Sequence, residues 1–313
     1  MSKKPKAVLL GPCVGEMGWE SMRFAPILPF LRLKKYKDKN ITFIVLTRED
    51  RFDLYGQYAH ALVPLKIKGD YIDCLPNCFR LEGLTNNSFK SIADSFFERY
   101  NNKFRIIEHI YPKIDSKHFL NKNQFNSKQM IFEFLPRKEN QELFNQYVPK
   151  NKPLVVIAPR YRNHSNHLRY KSITRRNWSH WNEFFDVLSN HEVLMKNFNF
   201  ILCGKPGEYI PDEKDRFYDI NKITLGDHSS LAGLLIVALQ HAKLTVASQS
   251  AIPNISLLIG TEVLEWGHQR RLHEVIYNIK KTKIQFLEDH KYDIPVKTVM
   301  KNLIIQLNMK KEK

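Results

Sequence analysis

Apolar residues gather along this chain in short runs, separated by longer stretches with helical periodicity. In the first half, runs over residues 7–10, 41–46 and, more weakly, 61–67 predict strands. Between the first two, Met22, Ala25, Ile27, Leu28 and Leu31 recur at helical spacing. Pro26 and Pro29 interrupt that pattern, so a helix over 19–33 is expected to kink or to begin late. Residues 87–100 read as a helix with Ile92, Phe96 and Phe97 on one side, and the polar, Lys/Asn-rich stretch 113–129 reads as a surface loop. The second half is more regular. Strands over 154–158, 198–203, 244–247 and 262–265 alternate with helices over 179–194, 230–241 and 252–259, and an amphipathic helix over 296–307 follows Pro295. Such alternation with short connections predicts an α/β protein whose parallel sheets are covered on both faces. Two prolines and two lysines in 148–153 mark a stiff, exposed boundary between domains 1–148 and 154–294. The expected architecture is two such sheets facing across a cleft.

Bulk properties narrow the class. A chain of 313 residues, 43% hydrophobic, can bury two cores of ordinary size. No apolar run approaches the roughly 18 residues that span a bilayer. The basic start leads into a strand rather than a signal-peptide core, so a soluble, cytoplasmic protein is expected. Cys13, Cys74, Cys78 and Cys203 lack the paired spacing of a zinc site and read as reduced thiols. The net charge is +17, spread as 25 Lys/Arg against 16 Asp/Glu in 1–150 and 24 against 16 in 151–313. That field attracts polyanions, either nucleic acid or an anionic membrane surface. A lysine-rich coding bias gives the same charge with no partner at all.

Candidate chemistry lies where strands hand over to helices. Gly15-Glu16-Met17-Gly18-Trp19-Glu20 follows the first strand, at the edge where open α/β sheets keep their ligands. A carboxylate there can take the proton of an acceptor hydroxyl, which makes Glu16 the first candidate base and Glu20 the second. Gly15, Gly18, Trp19 and Arg23 are candidate acceptor contacts. The plainer alternative has Glu16 capping the next helix and Glu20 facing solvent. Residues 143–182 contain no Asp or Glu, and Arg160, Arg162 and Arg176 stand out in that basic loop as forks for phosphate oxygens. Tyr161, His164, His167 and Tyr170 are interleaved, as in nucleotide or nucleic-acid contacts. Gly204 and Lys205 end another strand and can shape a base or diphosphate pocket. Ser248, Gln249, Ser250 and Ala251 open a helix whose free N–H groups suit a diphosphate, although ordinary capping by Ser248 or Ser250 explains the same residues. Histidines without metal spacing, and no Asp-x-Asp at a strand end, lead us to expect no metal.

These segments resemble the GT-B glycosyltransferases, closest to the ADP-heptosyltransferase-like group. The resemblance rests on Arg175-Arg176-Asn177-Trp178, on Gly204 with Glu208, and on Leu231-Ala232-Gly233-Leu234 through Ser248-Gln249-Ser250. Gly15-Glu16 with Pro26 and Pro29 is similar to the family's opening motif. The family usually has Asp-x-Gly and a nearby His where this chain has Ser248-Gln249-Ser250. The resemblance implies two Rossmann-like parallel-sheet domains, acceptor-binding and then donor-binding, with a C-terminal helix, 295–313, crossing back to the first. It also implies metal-independent, inverting sugar transfer from a UDP-, GDP- or ADP-sugar, with the base role falling on Glu16. The charge spread favours DNA carrying a hydroxymethylated base as acceptor, as in phage enzymes acting in the host cytoplasm. The alternative is lipopolysaccharide or surface-polysaccharide synthesis at the cytoplasmic membrane face. A non-catalytic nucleic-acid-binding protein is the reading from outside enzymology.

Overall fold

The computed structural model describes residues 4–13, 20–65, 86–111, 130–160, 177–204, 216–224, 230–268, 270, 274 and 278–309. The expected surface loop over 113–129 lies outside them. The chain divides into two compact units, each built on a wholly parallel sheet.

The first unit carries strands β1 (Lys6–Cys13), β2 (Ile41–Thr47), β3 (Ala61–Pro64) and β4 (Arg105–Ile110), in the order β3-β2-β1-β4. Ala7, Leu9, Ile44 and Leu46 alternate onto one face, which helix α1 (Asn86–Asn101) covers with Phe96. The interrupted helix is broken as the prolines require. A lone α-turn, Ile27–Phe30, is flanked by π-turns at Glu20–Phe24 and Leu31–Lys35. β4 escaped the sequence reading because exposed Arg105 and half-buried Glu108 and His109 break its apolar run.

The second unit orders its six strands β10-β9-β8-β5-β6-β7. They are β5 (Leu154–Ala158), β6 (Asn199–Leu202), β7 (Tyr218–Asp219), β8 (Ala242–Ser248), β9 (Glu262–Gly267) and β10 (Ile284–Glu288). Val155, Ile157, Phe200, Leu202, Leu244, Val246, Leu264 and Trp266 share one core with Trp178 and Trp181. The intervening residues, among them Thr245 and Glu265, therefore point to the opposite face. On that face Ser256 of helix α6 (Ala251–Ile259) donates to Thr245 at 3.0 Å. The helix expected over 179–194 is two, α3 (Trp181–Ser189) and α4 (Glu192–Asn197). Asn190 donates back to the carbonyl of Asp186, and His191 caps the second helix by accepting from the N–H of Leu194.

The division between the units falls at Asn140/Gln141, with residues 227–233 returning to the first unit. It crosses helix α2 (Lys138–Tyr147), whose Phe144 is buried and stacks on His241, a residue of the second unit at the end of helix α5 (Leu231–His241). The N-terminal end of α2 stays with the first unit because fully buried Asp53 accepts from the N–H and guanidinium of Arg137 and from the amide of Asn140. The C-terminal helix α7 (Val296–Gln306) contributes Val296, Val299, Met300 and Leu303 to the second unit's own core.

Leu303→Ala is expected to destabilise the second unit by about 2–5 kcal/mol, since the side chain is wholly enclosed. Urea unfolding followed by tryptophan fluorescence measures this, because Trp178, Trp181 and Trp266 all sit in that core.

Candidate functional site

In a parallel sheet the loops at the carboxyl ends of two neighbouring strands diverge where the strand order reverses, and a crevice opens between them. The first unit reverses between β1 and β4, and the second between β5 and β8. Of the candidate residues, Glu20 follows β1, and Arg160 and Ser248–Ala251 lie at the second of these edges.

At the first edge β1 slips its register against β2 between Leu10 and Cys13. Gly11 there has φ +117, and a Cβ would sit 2.2 Å from the carbonyl oxygen of Leu46, so the position needs glycine. The carbonyl of Gly11 accepts from His109 Nε2 at 2.9 Å, which puts the proton of that ring on Nε2. Gly15, Glu16, Gly18 and Trp19 lie outside the described residues, as does the side chain of Arg23. Glu20 is described, and it does not face solvent. Its side chain is 1% exposed. Oε1 accepts from Tyr55 at 2.7 Å and from Thr47 at 2.8 Å. Oε2 has no hydrogen-bond partner among the described residues and lies 3.9 Å from Arg51 Nε. Arg51 is bound more closely to Asp50, at 2.6 Å, and Asp50 also pairs with Arg48. Burial pushes the Glu20 carboxyl up to about 7, against the opposing pull of Arg51 and of the Tyr55 and Thr47 hydrogen bonds. Burial likewise raises the neighbouring Cys13 thiol and Tyr55 phenol.

At the second edge Arg160, just past β5, is 8% exposed and donates from Nη1 to the carbonyl of Gln249 at 2.9 Å. Gln249 follows β8, so this contact joins the two strands that flank the reversal. Ser248 Oγ is fully buried with no hydrogen-bond partner among the described residues, and so is Oδ1 of Asn254, in the first turn of α6. Ser250 is the N-cap of α6 in extended conformation, yet its side chain makes no capping bond. Ordinary capping therefore does not account for these serines, and the Ser250 side chain takes none of the first N–H groups of α6. Gly204 ends β6 on the far side of β5, and its carbonyl accepts from Asn221 at 3.4 Å. Arg162, Arg176 and Lys205 lie outside the described residues. Trp178 is a core residue whose indole N–H donates to the carbonyl of Ile294 at 2.8 Å. The structure thus brings Arg160, Ser248, Gln249, Ser250 and Ala251 to one edge.

Sequence reasoning missed Thr47, Tyr55 and His109 at the first edge, and Asn254, Glu265, His268 and Tyr292 at the second. Glu265 carried the one available signal, an acid inside an apolar strand, and it is fully enclosed at the end of β9. Among the described residues no three His, Cys, Asp or Glu side chains group as metal ligands, and no helix is long and apolar enough to cross a membrane.

The sequence matches no protein-family profile and no curated protein. Solved structures do share the fold. One is a glycosyl transferase of family 9 from Veillonella parvula DSM 2008, with a TM-score of 0.57, 11% identity, and 98% of each chain covered. Another is an E. coli ADP-heptose LPS heptosyltransferase II, with a TM-score of 0.50 and 10% identity over 97% of this chain and 98% of that one. At such identities the likeness establishes the fold, two parallel-sheet α/β units of the GT-B type.

Folding raises the Glu20 pKa from 4.5 to about 7, so the folded chain holds this proton more tightly than the unfolded chain. The contribution of Glu20 to stability is therefore greatest below pH 4.5 and is lost as pH rises through about 7. Glu20→Gln, which cannot ionise, is expected to be more stable than wild type at pH 8 by up to about 3 kcal/mol. Most of that advantage should disappear at pH 5, and urea unfolding at the two pH values measures it.

Proposed function

We propose that this chain is a glycosyltransferase that moves a sugar from a nucleoside-diphosphate donor, held by the second unit, to a hydroxyl acceptor. The observation that carries this reading is the second edge. A buried guanidinium, an uncapped helix start and an orphaned buried hydroxyl meet where a parallel sheet reverses its order. Cation, N–H dipoles and hydroxyl are together the complement of a diphosphate. The fold shared with sugar transferases supports the same reading.

In the proposed reaction Glu16 takes the proton of the acceptor hydroxyl, and the oxygen attacks the anomeric carbon from the side opposite the leaving group. The new C–O bond forms as the bond from that carbon to the phosphate oxygen breaks, inverting the centre. The departing nucleoside diphosphate keeps the electron pair. Arg160, joined by Arg162 and Arg176 from the same basic loop, and the start of α6 offset the charge that develops there. Gly204, Lys205, Ser248, Gln249, Ser250 and Ala251 complete the proposed donor contacts, and Gly15, Gly18, Trp19 and Arg23 those of the acceptor. Glu20, sealed from solvent, we assign to holding the segment that carries Glu16.

For the acceptor we propose a hydroxyl of a lipopolysaccharide or surface-polysaccharide glycan, a reading supported by the fold shared with the E. coli LPS heptosyltransferase. Hydroxymethylated DNA rests on the +17 charge and on the Lys/Arg/Asn-rich stretch 113–138, to which neither neighbour adds.

A screen of ADP-, GDP- and UDP-sugars against core oligosaccharide and against hydroxymethylated DNA, read by mass spectrometry, tests both steps. Glu16→Gln is expected to lower kcat by about 10²–10⁴ with donor binding retained. Arg160→Ala should raise the donor KM by about ten- to a hundredfold. A wild-type chain that consumes none of these donors and binds no nucleoside diphosphate would sink the proposal.

A further inference from the structure

Gln249 is 2% exposed and its peptide is clamped on every polar atom. Its N–H donates to the carbonyl of Trp266 at 2.9 Å, and its own carbonyl accepts from Arg160. Its side-chain Oε1 accepts from the Tyr292 hydroxyl at 2.5 Å and from the backbone N–H of His268 at 3.3 Å. A backbone N–H can only donate, which fixes the atom facing it as the amide oxygen. The Tyr292 hydroxyl must then donate to that same oxygen. Its single proton is committed there, so it accepts from His268 Nδ1, 2.8 Å away. His268 therefore carries a proton on Nδ1 whatever the state of Nε2. Donation runs in one direction, from His268 to Tyr292 to Gln249, and bonds in such a chain polarise one another.

The surroundings are shaped to this chain. Gly267 leaves room for it, since a Cβ there would lie 2.6 Å from Gln249 Oε1 and 2.8 Å from Gln249 Cβ. Tyr292 adopts φ +56, a left-handed conformation costly for a residue with a side chain, while its ring packs into the second unit's core. Packing alone asks nothing of its hydroxyl.

We infer that Tyr292 and His268 are positioning residues for the donor diphosphate: their donation chain fixes the Gln249 peptide, whose carbonyl sets the guanidinium of Arg160 beside the start of α6. The inference rests on the reading of that edge as a diphosphate site.

The test is calorimetric titration of the full chain with ADP, GDP and UDP, carried on with whichever the wild type binds. Three variants are compared: Tyr292→Phe, His268→Asn and His268→Leu. Tyr292→Phe keeps the ring and loses only the hydroxyl, and is expected to weaken binding about fivefold. His268→Leu should match it. His268→Asn should bind as the wild type does, because its amide nitrogen donates from the position of Nδ1. Wild-type affinity in Tyr292→Phe, or His268→Asn no better than His268→Leu, overturns the inference and leaves the diphosphate reading standing. A wild-type chain that binds none of the three nucleotides overturns both.

Discussion

The bond between Arg160 and the carbonyl of Gln249 fixes what the second unit can do. It spans the ends of β5 and β8, the two strands between which the sheet reverses direction. In open α/β sheets the loops leaving such strands part to opposite faces, and a crevice opens between them. A guanidinium held there at 8% exposure keeps its charge, because Arg cannot release its proton at physiological pH. The peptide oxygen satisfies one of its five donors, and its planar fork suits bidentate oxygens in a way that Lys does not. The uncapped start of α6 adds partial positive charge at the same place.

The first unit solves the opposite problem with the same topology. Its reversal lies between β1 and β4, and the ionisable group enclosed beside β1 and β2 is a carboxyl. One oxygen of Glu20 is bound by two hydroxyls and the other by none among the described residues. Arg51, the nearest cation, is already committed to Asp50 at a shorter distance. A carboxyl with two hydroxyl donors and a shared cation is poorly compensated for burial, and its proton affinity rises accordingly. Chains do not keep such a group in a core without a structural return. Here the return is position, since Glu20 directly follows Gly15–Trp19 in the chain and is bound to Thr47 of β2 and to Tyr55.

Much of the scaffold was legible because parallel strands buried on both faces write themselves as apolar runs. β5, β8 and the helices over 231–241 and 251–259 are read within a residue or two. What was illegible has a common cause. β4 interleaves Arg105, Glu108 and His109 with its apolar residues, and β10 shows no more than Phe286 fully to the core, so neither carries an uninterrupted run. The candidate site was legible at the strand-to-helix turns, where Ser248–Ala251 and Arg160 stand in diagnostic places. Its supports were not. Thr47 closes a strand and Tyr55 a short helix with no motif around either, and Tyr292 sits 43 residues from Gln249 in a stretch with no motif. Sequence distance hides them, because a hydroxyl acquires its role only from the partner that folding brings to it.

That asymmetry between site and support has a consequence for how such a fold can diverge. The elements of the proposed anion site, a helix start and an arginine, are supplied by backbone and by one long side chain, and tolerate extensive change around them. The donor set that fixes them, Gln249 with Tyr292 and His268, is buried and directional, and each hydrogen bond in it determines the next. Replacing any one member by an apolar residue strands a buried partner, and that costs more than the bond itself contributes. Identity near 10% with retained fold is what such a division permits. In this chain one carbonyl holds one guanidinium at the reversal of the sheet, and the enclosed network behind that carbonyl is built from Gln249, Tyr292 and His268.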